Sequence, residues 1–318
     1  RNQFSPQWGH SMSGPSVLQD SHNRVIRDLR ISITDRCNFN CTYCLPETEE
    51  AANFFQPVTL GAKSNTPVPG KLPYPWKPRS QILSFEEIVR VTQVAASFGV
   101  DKIRITGGEP LLRQGVESLI SQITAIGMIR DLSLTTNGTH FPRLAKRLKE
   151  AGLGRVTISL DSLDRDNFKK ITGRDGLAEV LKSIRLAKSI GLTPLKVNAV
   201  IIRGLNDHEI VQLAKFAMDE DIIMRFIEFM PLDSRQAWSR EHVVSGSEIV
   251  EQIQSKFPLT RLPAGNPSET STRWSLGRGA AEVGIIAPVT QPFCGNCNRI
   301  RLTADGKIRT CLFSHHEH

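Results

Sequence analysis

The chain has 318 residues, 39% hydrophobic and 23% charged, which is typical of one large or two ordinary globular domains rather than of a disordered chain. No apolar run approaches the length of a membrane-spanning helix, and an aromatic content of 6% without long basic runs argues against a stacking platform for single-stranded nucleic acid. The formal net charge of +8 therefore indicates a small polyanion, such as a nucleoside triphosphate, rather than a membrane or nucleic-acid partner.

Residues 1–24 are rich in Ser, Gln and Asn, and Asp20 is their only acidic residue. This composition is typical of a mitochondrial transit segment, although an ordinary disordered leader would share it. We favour the first interpretation and treat residues 1–27 as a disordered leader or transit remnant. We therefore expect the protein in the mitochondrial matrix, with the cytoplasm as the alternative location.

A group of three cysteines follows the leader. Cys37, Cys41 and Cys44 are separated by three and then by two residues. Thiolates are soft ligands, and three of them from one short loop suit three irons of a cubane iron–sulfur cluster, which leaves the fourth iron open to a ligand that is not protein. A structural zinc site would need a fourth ligand nearby, but the next histidine is His140, and a disulfide framework is typical of shorter secreted chains. The spacing thus favours the open cluster over zinc.

Residues 46–80 interrupt any regular pattern. Proline recurs throughout this segment, and at such a density it blocks both helices and sheet ladders. We predict a long loop insertion here. A lid over the neighbouring cysteine loop is the less favoured interpretation.

From residue 28 onward, short stretches rich in β-branched residues alternate with amphipathic stretches of helical period. The predicted strands are 29–34, 102–106, 132–136, 156–160, 195–202 and 222–229. The predicted helices lie near 84–98, 115–127, 141–151, 175–190 and 208–219. Such alternation predicts parallel βα units. We therefore expect an α/β fold with a partial (β/α)6 barrel over residues 28–232, and a doubly wound open sheet is the alternative.

Polar and glycine residues come directly after most of the predicted strands. The clearest cases are the segments 106–110, 135–138, 159–162 and 228–231. Because the carboxyl ends of barrel strands share one face, these junctions predict a binding site there. Gly107 and Gly108 would let a ligand approach the backbone closely, although an ordinary turn would use the same residues.

The remaining cysteines form a second triad near the end of the sequence. Cys294, Cys297 and Cys311 leave no cysteine outside the two triads. Arg299 and Arg301 follow, and on an extended segment both would point the same way. Beside a cluster with an open iron, two guanidinium groups suit an anion or a purine, whereas elsewhere they would simply be solvated. We therefore expect a second iron–sulfur site in a C-terminal region of residues 233–318.

These motifs carry a resemblance to a known family. The spacing Cys-x3-Cys-x2-Cys, with Tyr43 before the third cysteine, is similar to the signature of the radical S-adenosylmethionine (SAM) superfamily, in which SAM chelates the open iron. With Gly-Gly-Glu-Pro at 107–110, Lys-Val-Asn at 196–198, Arg-Phe-Ile-Glu-Phe-Met-Pro at 225–231 and the segment 293–306, the sequence resembles the molybdenum cofactor biosynthesis protein A family. This family comprises the GTP 3′,8-cyclases, and the resemblance runs from about residue 28 to residue 313.

The resemblance implies a role for each matching residue. The first triad would hold the [4Fe–4S] cluster that cleaves SAM, and the second triad would hold a further [4Fe–4S] cluster whose open iron binds guanine. The residues implied to contact SAM are Tyr43, Gly108, Ser159 and Met230. The residues implied to contact GTP are Arg30, Arg104, Thr135, Lys196, Arg299 and Arg301.

The implied reaction begins when a 5′-deoxyadenosyl radical takes the 3′ hydrogen of GTP, after which the ribose radical adds to C8 of guanine. Its product would be 3′,8-cyclo-7,8-dihydro-GTP, formed in the first step of molybdenum cofactor biosynthesis. The implied partners are GTP, an electron donor and the downstream cyclic pyranopterin monophosphate synthase. A homodimer is a further expectation.

Two departures and two alternatives accompany this resemblance. The proline-rich loop is longer than usual, and the sequence ends at His318 without the family's Gly-Gly tail, so we expect a weakly active form. A peptide-modifying radical SAM enzyme is the alternative within the superfamily, although such enzymes usually carry more than three C-terminal cysteines. A basic metal-binding module that binds nucleic acid without catalysis is the alternative of another class.

Overall fold

The structure is a computed structural model that describes residues 17–44, 76–232, 238–277, 279–314 and 317. The predicted leader lies outside these residues up to residue 16, and so does the predicted loop insertion from residue 46 to residue 75. Within the described ranges, no helix is both long enough and apolar enough to cross a bilayer.

The first two thirds of the described chain contain six strands and six helices, with one helix between successive strands except after β4, where there are two. The strands are β1 (Asp28–Ser32), β2 (Lys102–Thr106), β3 (Asp131–Thr136), β4 (Arg155–Ser159), β5 (Lys196–Ile201) and β6 (Ile223–Glu228). The helices are α1 (Phe85–Ser97), α2 (Val116–Thr124), α3 (Phe141–Glu150), α4 (Arg165–Thr172), α5 (Leu177–Ser189) and α6 (Ile210–Glu220). All six predicted strands and five predicted helices are present, with ends shifted by a few residues at most.

The sequence analysis missed helix α4. The helix is short, and only Phe168, Ile171 and Thr172 are buried on it, so its apolar period is weak. Its ends nevertheless carry two local signals. Asp164 caps the amino end by accepting a hydrogen bond from the Asn167 backbone at 2.7 Å, and Gly173 ends the helix in the left-handed conformation.

One helix and five strands follow, and the five strands join the same sheet. The elements are α7 (Gly246–Gln254), β7 (Leu259–Arg261), β8 (Thr272–Leu276), β9 (Glu282–Ile286), β10 (Arg299–Leu302) and β11 (Ile308–Arg309). The sheet has the order β11-β10-β1-β2-β3-β4-β5-β6-β9-β8-β7. Strand β10 pairs in parallel with β1, and β9 pairs in parallel with β6. The predicted α/β fold with a partial barrel is therefore confirmed, and residues 233–318 widen its sheet at both edges.

The amino-terminal boundary of the fold lies earlier than predicted. The backbone N–H of Leu18 donates to the Phe98 carbonyl at 2.9 Å, and the Ile26 side chain is buried in the core. A bridge between Gln19 and Val25 closes a short hairpin. Residues 17–27 therefore belong to the ordered domain. The predicted boundary between the leader and the fold, at residue 27, was placed too far along the chain.

Alternation along the strands separates an apolar layer from a polar interior. On β1, Leu29 and Ile31 are buried in the main core, while Arg30 between them points to the opposite face. On β2, Ile103 and Ile105 do the same on either side of Arg104. Helices α1 to α7 bury their apolar faces against the outer layer, so the inner face of the sheet is left to polar and charged residues.

The carboxylate of Glu228 joins the barrel to the C-terminal region. It is fully buried at the end of β6, where it accepts hydrogen bonds from the backbone of Gly246 at 2.9 Å, Val289 at 2.9 Å and Thr290 at 3.0 Å. The Thr290 hydroxyl also donates to it. One carboxylate thus fixes the start of α7 and the segment that leads from β9 toward the second triad.

We predict that Glu228→Ala lowers the free energy of unfolding by about 3–5 kcal/mol, because it leaves several buried donors without an acceptor. Urea denaturation under anaerobic conditions measures the change. The matched control is Glu150→Ala, because Glu150 is 62% exposed and pairs with Lys146 at 3.8 Å on the surface. Its effect is expected to stay within about 0.5 kcal/mol. Equal effects of the two substitutions would contradict the role assigned to Glu228.

Candidate functional site

The first cysteine triad lies on the loop that leaves the carboxyl end of β1. Cys37 and Cys41 are partly buried, and Cys44 is exposed. The end of α4 holds this loop, because the Asn40 backbone donates to the Thr172 carbonyl at 2.8 Å and the Thr42 backbone donates to the Ile171 carbonyl at 3.0 Å. The helix that the sequence analysis missed therefore supports the loop on which all three cysteines lie.

The Gly-Gly-Glu-Pro segment after β2 supports the same loop from another side. The Gly108 backbone donates to the Thr34 carbonyl at 2.8 Å, and the Glu109 backbone donates to the Arg36 carbonyl at 2.7 Å. A Cβ atom on Gly108 would lie 2.3 Å from the Arg36 carbonyl oxygen. Glycine is required here because two backbone segments meet. The close approach expected for a ligand is thus already made by the cysteine loop, and contact of Gly108 with SAM stays a prediction.

Glu109 links this segment to the end of β3. Its buried carboxyl group accepts hydrogen bonds from the Thr136 hydroxyl and the Asn137 backbone, both at 2.7 Å, and from the Leu111 backbone at 3.0 Å. Burial raises the pKa of Glu109 to about 7. The Asn137 side chain then donates to Asn38 at 2.8 Å and lies 4.0 Å from the Cys37 sulfur. A chain of polar contacts therefore runs from β2 through β3 to the first triad.

The other residues predicted to contact SAM also lie at the carboxyl ends of the strands. The Tyr43 hydroxyl donates to the buried Asp161 carboxylate at 2.7 Å, and the Val200 backbone donates to the same carboxylate at 2.9 Å. Burial raises the pKa of Asp161 to about 6. Ser159 ends β4 and Met230 follows β6, so both belong to the same end of the barrel. The expected shared face is present, whereas its occupation by SAM stays a prediction.

The barrel interior carries a cluster of cations, which we call the interior cations. Strand register places Arg30 between Arg301 on β10 and Arg104 on β2. Arg104 donates to the Thr135 hydroxyl at 3.2 Å and to the Thr157 hydroxyl at 3.3 Å. The members of the cluster are Arg30, Arg104, Lys196, Arg225, Arg299 and Arg301. Five of them, together with Thr135, are the residues predicted to contact GTP.

Arg225 on β6 is the member that the sequence analysis did not assign. Its guanidinium donates to the Asn198 side chain at 2.8 Å and to the Thr157 hydroxyl at 3.4 Å. A signal was present, because Arg225 stands between the buried residues Met224 and Phe226, as Arg30 stands between Leu29 and Ile31. Reading the inward position of every strand would have found it.

Four of the interior cations, Arg30, Arg104, Lys196 and Arg225, are strongly desolvated. Desolvation and the neighbouring arginines lower the pKa of Arg30 and Arg225 and bring the pKa of Lys196 to about 8. Asp28 lies 4.0 Å from Arg30 and 3.4 Å from Lys102. Within the part of the chain that the structure describes, the buried Nε atoms of Arg30 and Arg104 have no hydrogen-bond partner. Desolvated donors in this number suit an anion with several charges.

The second triad lies at the other end of the same strands. Cys294 begins a short turn of 3-10 helix, and the Cys297 backbone donates to the Cys294 carbonyl at 3.1 Å. In the antiparallel pair of β10 and β11, Arg301 is opposite Arg309, so the same register continued outward brings Cys311 opposite Arg299. The β10–β11 turn therefore returns the third cysteine to the neighbourhood of the other two.

Arg299 is held beside this triad. Its guanidinium donates to the Ser268 carbonyl at 3.0 Å and lies over the Phe293 ring at 5.6 Å. Because β10 and β1 are parallel neighbours, the second triad precedes the strand pair and the first triad follows it. The interior cations lie between the two triads. The five residues of β1 separate them by roughly 15 Å of strand.

The donor set fits two iron–sulfur clusters better than single metal ions. All six cysteines are free thiols. Among the described residues, no three His, Cys, Asp or Glu side chains converge as they would around one metal ion. Thiolates that hold a cubane lie farther apart than those around a single ion, since each binds a different iron. Three thiols in one loop are the soft set that an iron–sulfur cluster takes. The nearby carboxylates of Glu109 and Asp161 are already engaged in hydrogen bonds to other groups.

Comparisons with known proteins agree with this architecture. The radical SAM superfamily profile matches residues 31–217, and the profile "Molybdenum Cofactor Synthesis C" matches residues 222–318. A curated GTP 3′,8-cyclase of Streptomyces coelicolor is 42% identical over 309 residues, which are 96% of this chain and 84% of that protein. The enzyme of the same name from Acidothermus cellulolyticus is 43% identical over 298 residues, 93% of this chain and 77% of that protein.

A solved structure shares the fold. Streptococcus suis SuiB bound to S-adenosylmethionine matches with a TM-score of 0.62 and 14% sequence identity, over 93% of this chain and 64% of that chain. At this identity the likeness is one of fold and carries no information on substrate.

We predict that binding of inorganic triphosphate by the wild-type chain weakens as the pH rises above 8, relative to Lys196→Arg. The Lys196 ammonium, whose pKa is about 8, loses its proton there, while a guanidinium keeps its charge. The bound anion favours the charged form, so affinity is constant below this pH and falls by up to about tenfold per pH unit above it. Titration calorimetry at several pH values measures the ratio of the two affinities, in which protonation of the ligand cancels. A ratio that does not change with pH would exclude Lys196 from the anion site.

Proposed function

The chain belongs to the GTP 3′,8-cyclase family of the radical SAM superfamily, and from this premise we propose that the two triads and the interior cations form one GTP-cyclising site. The protein is an enzyme of molybdenum cofactor biosynthesis that converts GTP to 3′,8-cyclo-7,8-dihydro-GTP. A [4Fe–4S] cluster and SAM are its cofactors. This membership argues against both a peptide-modifying enzyme and a nucleic-acid-binding module without catalysis.

The observation that carries the site assignment is the set of desolvated cations between the two triads. A nucleoside triphosphate brings several negative charges and needs several charge-assisted hydrogen bonds. Arg30 and Arg104 are register neighbours on β1 and β2, and Lys196 lies on β5 of the same sheet. Each of the three is desolvated. Such donors are worth more to an anion than exposed ones, because water no longer screens them. We infer that they hold the triphosphate.

The first triad is proposed to hold the cluster at the carboxyl end of the barrel. When bound there, the cluster supplies the electron that cleaves SAM. The chain itself contributes position: α4 and the Gly-Gly-Glu-Pro segment fix the cysteine loop, and Asp161 fixes the Tyr43 ring. With Gly108, Ser159 and Met230, Tyr43 would line the SAM site. These contacts orient the reacting groups and keep water away from them.

The second triad is proposed to hold a further [4Fe–4S] cluster through Cys294, Cys297 and Cys311. The support is the return of Cys311 toward Cys297 by the β10–β11 turn and the presence of only three thiols, which leaves one iron open. The guanine of GTP is the proposed ligand of that iron. Arg299 and Arg301 extend from the same strand and would bind the nucleotide beside it.

The remaining proposals concern partners and place. An electron donor must reduce the first cluster, and a cyclic pyranopterin monophosphate synthase would consume the product. A homodimer and a location in the mitochondrial matrix are proposed from the sequence resemblance and from the composition of residues 1–24. Isolation of the protein from fractionated cells, followed by sizing, tests both.

The proposed activity has a direct isotopic test. Anaerobic incubation with a reductant, SAM and GTP deuterated at C3′ is expected to give 5′-deoxyadenosine that carries deuterium, together with a cyclised isomer of GTP. Chromatography with mass spectrometry detects both. Arg299→Ala and Arg301→Ala are each expected to weaken GTP binding by about 1.5–3 kcal/mol, the range for a hydrogen bond to a charged group.

Binding of SAM provides the control for these two variants, because its proposed contacts lie at the other end of the barrel. Equal weakening of GTP and SAM binding would mean that the arginines support the structure rather than the substrate. Deoxyadenosine without deuterium from the wild-type chain would place the reacting hydrogen elsewhere and refute the proposed site.

The two clusters are separable by iron content. Anaerobically reconstituted protein is expected to bind roughly eight irons if each triad holds a four-iron cubane. Replacing Cys37, Cys41 and Cys44 together by Ala should remove about half of the iron and all SAM cleavage, and the same change at the second triad should remove the other half. A chain with both triads intact that binds only about four irons would disprove the second cluster.

A further inference from the structure

A hairpin just before β1 contacts the turn that carries Cys294. It consists of residues 18–26, joined by the bridge between Gln19 and Val25 and by a hydrogen bond from the Ile26 backbone to the Leu18 carbonyl at 2.9 Å. Its tip is a tight turn in which the Asn23 backbone donates to the Asp20 carbonyl at 3.0 Å, with Asn23 at a φ of 59°. The sequence analysis assigned these residues to a disordered leader or transit remnant.

The Asp20 carboxylate organises this tip. It accepts hydrogen bonds from the His22 backbone at 2.9 Å and the Arg24 backbone at 3.0 Å. It also accepts one from the Nε atom of Arg24 at 2.7 Å. The Arg24 guanidinium beside it lowers the pKa of Asp20 to about 2, so this carboxylate stays ionised at any physiological pH. The pair holds the Arg24 side chain in one direction.

That direction is toward the second triad. The Nη1 atom of Arg24 donates to the backbone carbonyl of Cys294, a residue 270 positions away in the sequence. The guanidinium charge also lies close enough to Cys294 and Cys297 to interact with both thiol groups. Asp20 already neutralises the charge of Arg24, so charge balance within the hairpin does not require the contact with Cys294.

The same segment holds the other side of the cysteine turn. The backbone N–H groups of Arg27 and Asp28 donate to the Asn298 carbonyl at 3.0 and 3.1 Å. Contacts at Cys294 and Asn298 bracket Cys297 between them. The hairpin is itself anchored to the end of α1 through the bond from Leu18 to Phe98. The cysteine turn is thus held at one end by the hairpin and at the other by Arg27 and the first residue of β1.

We propose that the hairpin of residues 18–26 is a positioning element for the second cluster, with Arg24 as its contact residue, an inference that rests on the second cluster proposed above. Residues outside the ligand set that fix a ligand's backbone raise the affinity of metal sites, and hydrogen bonds and charges near a cluster set its reduction potential. Arg24 supplies both, through one hydrogen bond to a ligand residue and one fixed positive charge.

The test uses the full chain with Cys37, Cys41 and Cys44 replaced by Ala, so that all bound iron belongs to the second triad. Arg24→Ala on this background is expected to release iron to a chelator about tenfold faster, as is usual when such a support is removed. Its reduction potential should also become more negative, because a nearby cation favours the electron-rich state. Arg24→Lys keeps the positive charge but not the guanidinium group that contacts Asp20 and Cys294 at the same time. Compared with Arg24→Ala, it should therefore recover more of the reduction potential than of the iron retention.

Arg27→Ala is the matched control, because the Arg27 side chain pairs with Asp101 and the substitution keeps the backbone N–H that donates to Asn298. It should match the background in both measurements. Iron release and potential in Arg24→Ala equal to those in Arg27→Ala would overturn the role of the hairpin while leaving the second cluster in place. A background chain that binds no iron would overturn the second cluster, and this inference with it.

Discussion

The parallel pairing of β10 with β1 is the constraint on which the whole site depends. It brings Arg301 beside Arg30 and Arg299 beside Asp28, although these residues lie far apart in the sequence. It also places the second triad at the beginning of a strand pair whose other end leads into the first triad. Without this pairing the chain would have two separate cysteine groups and an incomplete row of cations. With it, both groups open onto one interior.

Burying so many cations on one face has a cost that the other face of the same strands offsets. Desolvation disfavours each charge, as the lowered pKa values of Arg104 and Lys196 indicate. The outward positions of the same strands are mostly apolar, and they pack against seven helices. The hydrophobic effect on the outer layer therefore stabilises an inner layer that would be unfavourable alone. A polyanion that binds the inner layer relieves the repulsion, so ligand binding and stability are coupled in this fold.

The two triads are supported in the same manner, by backbone contacts from distant elements. The first loop is held by α4 and by the Gly-Gly-Glu-Pro segment, and the second by the hairpin before β1 and by the segment that Glu228 fixes. A loop cannot hold three thiols at fixed positions through its own short-range contacts, because its backbone retains too many conformations. Contacts to helices and strands remove that freedom before any cluster is bound, which is the arrangement expected of a site that must hold its ligands in one geometry.

The sequence by itself determined the elements and the chemistry. Alternating and helical periods located six strands and five helices, and the spacing of the six cysteines indicated two cluster sites, because these patterns depend on neighbours along the chain. The tertiary structure alone decided which strands meet, since the pairing of β10 with β1 and of β9 with β6 depends on packing over the whole sheet. For the same reason, the partner of Gly108, the support that α4 gives to the first triad and the contact of Arg24 with Cys294 had no local signature. Each of them joins residues that only the closed fold brings within reach of one another.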